Sequence, residues 1–345
     1  MSLVDLNGDN RLEIVFADGN GRVHAVRANG RELRGFPVHT RRVRRLPLST
    51  SDAFDGDPAN GDVPVSFASV LGGTTVGDID RDGVQEVVVA ATDGRVYCWN
   101  ADGSRCPGFP VATDPGSTRE PYGDHRLIPN NHPEGIIATP AFGNLRGDRR
   151  LEIVVGSLDQ KLYVWRADGA RVRPFPIRLV DGSAPADERR RDRRIAPRAI
   201  ASSPAIANVD ASGGMEIVVG TNETYSSPSP PGGEGGSGRA YVVRSDGSIA
   251  PGWPVKPTSI APDPVPLVAE GVGTSPVVAN VDGDPQKEIA LGVFFGDATI
   301  YNHDGTVFRT LPGTFGGTGP GSDQDEATVE GGLPRPVDAP GHYYV

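Results

Sequence analysis

Long apolar runs are missing from this 345-residue chain. No window of about 18 apolar residues occurs, so no segment is expected to insert in a membrane as a helix. Basic charge is scarce as well: 34 Lys and Arg face 44 Asp and Glu, a formal net charge of -10. Nucleic-acid binding, which needs clustered cations to displace counterions, is therefore not expected. The run from Arg189 to Arg194 is a local exception and reads as a solvated loop. Two cysteines, Cys98 and Cys106, are far too few for a disulfide-built scaffold. Neither a nucleophile elbow nor an H-E-x-x-H zinc motif is present. No convincing helical period occurs either, apart from a charged turn near 186–194. The opening MSLVDLNGDN lacks the basic and apolar segments of a secretory leader, so an export signal is expected outside this stretch.

Glycine and proline are plentiful instead, 46 and 32 residues, as a chain with many tight turns requires. They punctuate an internal repeat. An acidic loop recurs five times: DLNGDNRLE from 5, DIDRDGVQE from 78, NLRGDRRLE from 144, NVDASGGME from 208 and NVDGDPQKE from 280. Each is followed by a hairpin turn, Asn29-Gly30, Asp102-Gly103, Asp168-Gly169, Asp246-Gly247 and Asp304-Gly305, pairs that tolerate positive φ. An aromatic-proline step comes third, at 35–38, 108–111, 174–177 and 252–255, with Leu311-Pro312 near its place in the last unit.

Between these marks lie four short strands per unit. Strand A is SSPAIAN (202–208) or TSPVVAN (274–280), and strand B follows each loop as EIVFA, EVVVA, EIVVG, EIVVG or EIALG. Strand B has no polar face, so both of its sides must be covered, which stacked sheets provide. Strand C alternates, as in Lys161-Leu162-Tyr163-Val164-Trp165, and strand D is expected to lead into the aromatic-proline step. The class is all-β: a β-propeller of four-stranded antiparallel blades, with blades at about 1–38, 66–111, 135–177, 198–255 and 268–314 and a C-terminal segment from 315 to 345. Unit one begins at its loop without a visible strand A. The C-terminus supplies that strand, or the chain is part of a larger propeller, and five blades would make a small ring.

Carboxylates at alternate loop positions followed by a later Glu fold hard oxygens around one point, the arrangement that calcium takes. Loop two offers Asp78, Asp80, Asp82 and Glu86, loop one Asp5, Asn7, Asp9 and Glu13, and loop five Asn280, Asp282, Asp284 and Glu288. Loop four is weaker, with Asn208, Asp210, Ser212 and Glu216. In loop three Arg146 stands at the third position, so a side-chain cation is expected in place of the ion. A bound ion would relieve the mutual repulsion of these carboxylates and so serve folding.

The loops and the strand behind them resemble the calcium loops of FG-GAP repeats, the units of the integrin α-subunit propeller and of many bacterial secreted or surface proteins. The resemblance covers residues 4 to about 314. It implies a propeller with Ca2+ between strands A and B that acts in adhesion or ligand recognition. Phe-Gly and Gly-Ala-Pro signatures are largely replaced by S-S-P and G-F-P steps, as in a bacterial variant, and integrin ligand chemistry does not carry over.

Antiparallel order puts the calcium loops and Asp-Gly turns on one face and the insertions 39–65, 112–134, 178–198, 222–239, 256–267 and 313 onward on the other. A protein or glycan ligand is expected on that long-loop face. The stretch 226–238 reads as flexible linker, and its G-x-G-x-x-G match, with no helix after it, carries no weight. Asp124, His125, His132 and Glu134 could move protons or ligate a metal, but ordinary loop composition explains them, and no enzyme is expected. The rival is a carbohydrate-active propeller, a lectin or a polysaccharide lyase or hydrolase, with Tyr122, Trp99, Trp165 or Trp253 stacking on sugar. All three Trp fall on strand positions, where core packing is the commoner use. Cys98 and Cys106 flank Asp102-Gly103 symmetrically, so they form either a disulfide or a buried and an exposed thiol. An even cysteine count and the calcium demand place the chain outside the cell or on its surface. Asn222-Glu223-Thr224 is a glycosylation sequon in a eukaryote.

Overall fold

The computed structural model describes residues 1–42, 67–115, 134–183, 199–225, 236–257, 271–293 and 298–311. All regular structure among them is β. Blade one is β1 (Ser2–Val4), β2 (Glu13–Ala17), β3 (Arg22–Val26) and β4 (Val38–His39). Blade two is β5 (Thr75–Gly77), β6 (Glu86–Ala90), β7 (Arg95–Asn100) and β8 (Val111–Ala112). Blade three is β9 (Ala141–Gly143), β10 (Glu152–Gly156), β11 (Lys161–Trp165) and β12 (Ile177–Arg178). Blade four is β13 (Ala205–Ala207), β14 (Glu216–Tyr225) and β15 (Gly236–Val243), its fourth position held by a single bridge between Val255 and Ala240. Blade five is β16 (Val277–Ala279), β17 (Glu288–Leu291), β18 (Ala298–Tyr301) and β19 (Val307–Leu311). Neighbouring strands within each blade pair in chain order and run antiparallel.

Two compact units result, one with blades one to three and the other with blades four and five. In the first, strands A stand side by side: the Ser2 hydroxyl donates to Thr74 O at 2.8 Å and the Thr75 hydroxyl to Pro140 O at 2.6 Å. In the second, the Ser202 hydroxyl donates to Thr274 O at 2.8 Å. Apolar cores lie between successive blades. Val15, Val23 and Ala25 of blade one pack with Val87, Val89, Tyr97 and Trp99 of blade two. Val88, Cys98 and Cys106 of blade two pack with Ile153, Val155 and Tyr163 of blade three, and Val218 and Val242 of blade four with Ile289 and Tyr301 of blade five. Hence β6 and β10 are buried at every position, as strands without a polar face must be.

Four readings of the sequence change. Unit one does have its strand A, because Ser2–Val4 pairs with Glu13–Val15; three residues suffice when the partner strand is fixed by its core. The aromatic-proline step precedes strand D and interrupts the return from the turn: Trp99 bridges Arg105 before the step, and Val96 pairs with Val111 after it. Blade five lacks the step, and its β19 runs on through Val307–Leu311. Trp253 therefore lies in a step and not on a strand, although it is buried there like Phe36, Phe109 and Phe175. In blade three strand C has no wet face, since Leu162 to Trp165 are all buried and the polar tip of Tyr163 is satisfied internally, as described below, whereas β3 and β18 keep the expected alternation. The sequon residue Asn222 is buried within β14. Residues 312–345, the run at 189–194, the turn at 186–194, Tyr122, Asp124, His125 and His132 lie outside the described residues.

Candidate functional site

Four of the acidic loops turn through one left-handed non-glycine residue and a glycine, and loop five through Gly283 alone. In loop two these are Arg81 at φ 67° and Gly83 at φ +89°, and nothing approaches the glycine, so the conformation alone selects it. One bond recurs in all five loops. The buried Glu that begins strand B accepts, through Oε2, the backbone N–H of the second loop residue: Glu13 from Leu6 at 3.1 Å, Glu86 from Ile79 at 2.8 Å, Glu152 from Leu145 at 2.8 Å, Glu216 from Val209 at 2.7 Å and Glu288 from Val281 at 2.7 Å. This bond closes the loop whatever its other residues are.

In loop two, the carboxylate oxygens of Asp78, Asp80 and Glu86 lie within 4.8 Å of one another, and in loop five those of Asp282, Asp284 and Glu288 do the same. Oxygens on opposite sides of a calcium ion are about 4.6–5.2 Å apart, twice the usual 2.3–2.6 Å bond, so each set has a spacing that could hold one ion. The remaining lone pairs are occupied from behind by the loop backbone. Asp78 accepts from Asp82 N and Gly83 N, both at 3.1 Å, Asp80 from Asp82 N at 3.2 Å, and Asp82 from Val84 N at 2.8 Å. Asp82 itself is not in the convergent set. Burial, with Asp80, Asp82 and Asp78 adding like charge, pushes the Glu86 carboxyl up to about 7 despite the bond from Ile79. The pocket thus holds more negative charge than its own surroundings balance, and an oxygen-coordinated cation fits it.

Loop one keeps the same frame with fewer carboxylates converging. Asp5 accepts from Gly8 N, Asp9 N and Asn10 N, and Asn7 Oδ1 accepts from Asp9 N at 2.9 Å. In loop four Asp210 accepts from Ser212 N at 2.9 Å and faces the Arg244 guanidinium at 3.7 Å. Asn208 Oδ1 in that loop is buried with no hydrogen-bond partner, and so is Asn144 Oδ1 at the same position of loop three. In loop three Arg146 pairs with Asp148 at 3.2 Å beside a cavity of about 200 Å³ that Arg150, Arg166 and Asp168 also line.

The opposite end of the sheets carries a second recurring set that the sequence reading missed. A strand-C tyrosine donates to a nearby acidic residue: Tyr97 to Asp93 at 2.7 Å and Tyr163 to Asp159 at 2.6 Å, both in the B–C turn, and Tyr241 to Glu223 within β14 at 2.5 Å. Two of these hydroxyls also accept a backbone N–H from the preceding blade, Tyr97 from Arg41 at 3.0 Å and Tyr163 from Asp114 at 2.9 Å. A basic residue two positions before each tyrosine completes the set: Arg95 pairs with Asp93, Lys161 with Asp114 and Asp159, and the buried Arg239 with Asp181. Burial and the neighbouring carboxylates hold Tyr97 and Tyr163 protonated far above the usual tyrosine range. The signal was there as D-x-R/K-x-Y in DGRVY and DQKLY, but turn residues and strand residues are read separately, which hides it. Cys98 and Cys106 are disulfide-bonded across the blade-two hairpin with Cα atoms 5.4 Å apart.

No protein-family profile matches the chain, and no curated protein sequence does. Solved structures do match. A quinohemoprotein alcohol dehydrogenase from Comamonas testosteroni aligns with a TM-score of 0.51 and 16% identity over 88% of this chain and 42% of its own. BamB from Moraxella catarrhalis aligns at 0.46 and 11% over 91% and 64%, and BBS1N in complex with ARL6DN at 0.45 and 14% over 90% and 68%. The chain spans less than half of the dehydrogenase's length and under two thirds of BamB's. At such identities the likeness is one of fold alone, and that fold is the β-propeller of four-stranded antiparallel blades.

Proposed function

We propose that this chain is a calcium-stabilised binding propeller of FG-GAP type, working outside the cell or at its surface. The observation that carries the reading is the convergence of Asp78, Asp80 and Glu86, and of Asp282, Asp284 and Glu288, each within 4.8 Å. Asp82 and Asn280 would complete those sets, Asp5, Asn7, Asp9 and Glu13 would hold an ion in loop one, and Asn208, Asp210, Ser212 and Glu216 would hold one more weakly in loop four. The ion supplies charge neutralisation and ties both ends of the loop to the start of strand B. A protein or glycan ligand would then bind at the end of the sheets from which the long connections leave, and the ion's role there is to keep neighbouring blades rigid. A disulfide in blade two supports an oxidising compartment.

Isothermal titration of calcium into chelator-treated protein tests this, with at least two ions expected per chain and a rise in melting temperature. At free calcium a thousandfold above Kd, each site adds about 4 kcal/mol to stability. No heat of binding and an unchanged melt would end the calcium reading. A glycan array on the loaded protein then separates a sugar ligand from a protein one.

A further inference from the structure

The loop-closing Glu has a cross-strand partner whose type changes from blade to blade. In blade two Glu86 stands opposite Asn100 in the register of β6 and β7. One step beyond the pairs Ile289–Tyr301, Ile153–Trp165 and Ile217–Val243, the same position holds Asn302 in blade five, Arg166 in blade three and Arg244 in blade four. Residues directly opposite on one face of a sheet lie within side-chain reach of each other. The asparagines belong to the two loops with three convergent carboxylates. Loops three and four, beside the arginines, carry Arg146 and Ser212 where loops two and five have aspartates.

The side chains behave accordingly. Asn100 Nδ2 donates to Ser104 Oγ and Asn302 Nδ2 to Thr306 Oγ1, both at 2.9 Å across their own turns, and neither brings charge to the loop. Arg166 pairs with Asp168 and lines one cavity with Asp148 and Glu152 of loop three. Arg244 lies 3.7 Å from Asp210 of loop four, and its charge opposes the rise that burial gives the Glu216 carboxyl. In blade one the position, one step beyond Ile14–Val26, is held by Arg27, which is exposed and makes no ion pair among the described residues, so loop one stays uncompensated. We propose that the strand-C residue opposite the loop-closing Glu decides which acidic loops take a calcium ion. Asparagine at 100 and 302 leaves the carboxylates to the ion, and arginine at 166 and 244 supplies a cation of the protein's own. The choice is thereby made outside the loop, and it presupposes the calcium sites of loops two and five.

Calcium titration calorimetry on the chelator-stripped 345-residue chain and its charge variants tests this. Arg244→Asn is expected to tighten the loop-four site about tenfold or more, the effect of removing one positive charge about 5 Å from a divalent ion even at the permittivity of water. A gained site cannot come from a damaged fold. Asn302→Arg is expected to weaken the loop-five site by a similar factor and the neutral Asn302→Gln to recover it, with melts in chelator confirming that each variant folds. Calcium binding by the parent with the same affinities in Arg244→Asn and Asn302→Arg overturns the proposal and leaves the calcium reading standing. A loss in Asn302→Gln equal to that in Asn302→Arg overturns it too, because the asparagine then acts as a brace or a ligand and not by its lack of charge. No heat of binding in any of the chains ends the calcium reading itself, and this choice with it.

Discussion

Loops two and three share a frame and differ in charge. Both turn through an arginine at positive φ and a glycine, Arg81 and Gly83 against Arg149 and Gly147, and both are closed by a buried Glu on the second residue's N–H at 2.8 Å. Around Glu86 stand three aspartates, whereas Glu152 shares a cavity with Asp148 and Asp168 but also with Arg146, Arg150 and Arg166. Glu152 is also raised by burial, but Arg146 works against the effect of Asp148 there. The difference separates two jobs that one motif combines. The Glu closes the loop in every blade, whereas Arg146 at the third position of loop three offsets charge that in loop two only further carboxylates surround.

The largest expected effect comes from erasing the ionic half of that contrast. Asp80→Asn combined with Asp282→Asn should abolish the calcium-dependent part of stability at those sites, about 4 kcal/mol each under saturating conditions, with the melt in chelator little changed. Persistence of the full calcium shift by calorimetry would break the comparison. Next is the shared half: Glu152→Ala strips a buried N–H of its acceptor and should cost about 3 kcal/mol in denaturant titrations, equally with calcium and with chelator. A calcium-dependent cost would show that loop three holds an ion after all. Smaller, at about 2 kcal/mol, is Tyr163→Phe at the other end of blade three, which removes the donor to Asp159 and the acceptor for Asp114 N. Equal loss from Tyr97→Phe would show that the clasp is indifferent to the loop charge at the far end.

The smallest effect is on pH dependence. Burial opposes ionisation of Asp114, but bonds from Lys161 and Arg171 outweigh it and hold the carboxyl below its ordinary 3.8. A depressed acid stabilises the fold above its unfolded pKa, and the contribution is lost as pH falls through the folded value. Asp114→Asn should therefore flatten the melting curve's decline below about pH 4 and cost under about 1 kcal/mol at neutrality, since the pair is partly solvated. An unchanged acid limb would remove Asp114 from the account.

Much of this was legible because it is local. The loop, the turn glycine and strand B each rest on residues within nine positions, and repetition five times over makes chance agreement rare. Hidden features were those that join distant residues. The step's true place before strand D could not be read because Phe109 and Val111 are only two positions apart in sequence while only Val111 pairs with strand C. The Tyr163–Asp159–Asp114 clasp crosses from one blade to the next, and Asp210's pairing with Arg244 depends on which turn returns beside loop four. In blade three the alternation of strand C misled for the same reason, since the Tyr163 hydroxyl, satisfied by a neighbouring blade, needs no water.

Periodicity and turn chemistry by themselves determined that this chain makes five antiparallel blades with acidic loops at one end, because hairpin pairing and positive-φ turns are short-range constraints. Which tyrosine hydroxyls take a neighbouring blade's amide was decided only when sheets packed on sheets, since Arg41 to Tyr97 and Asp114 to Tyr163 are contacts between residues 56 and 49 positions apart.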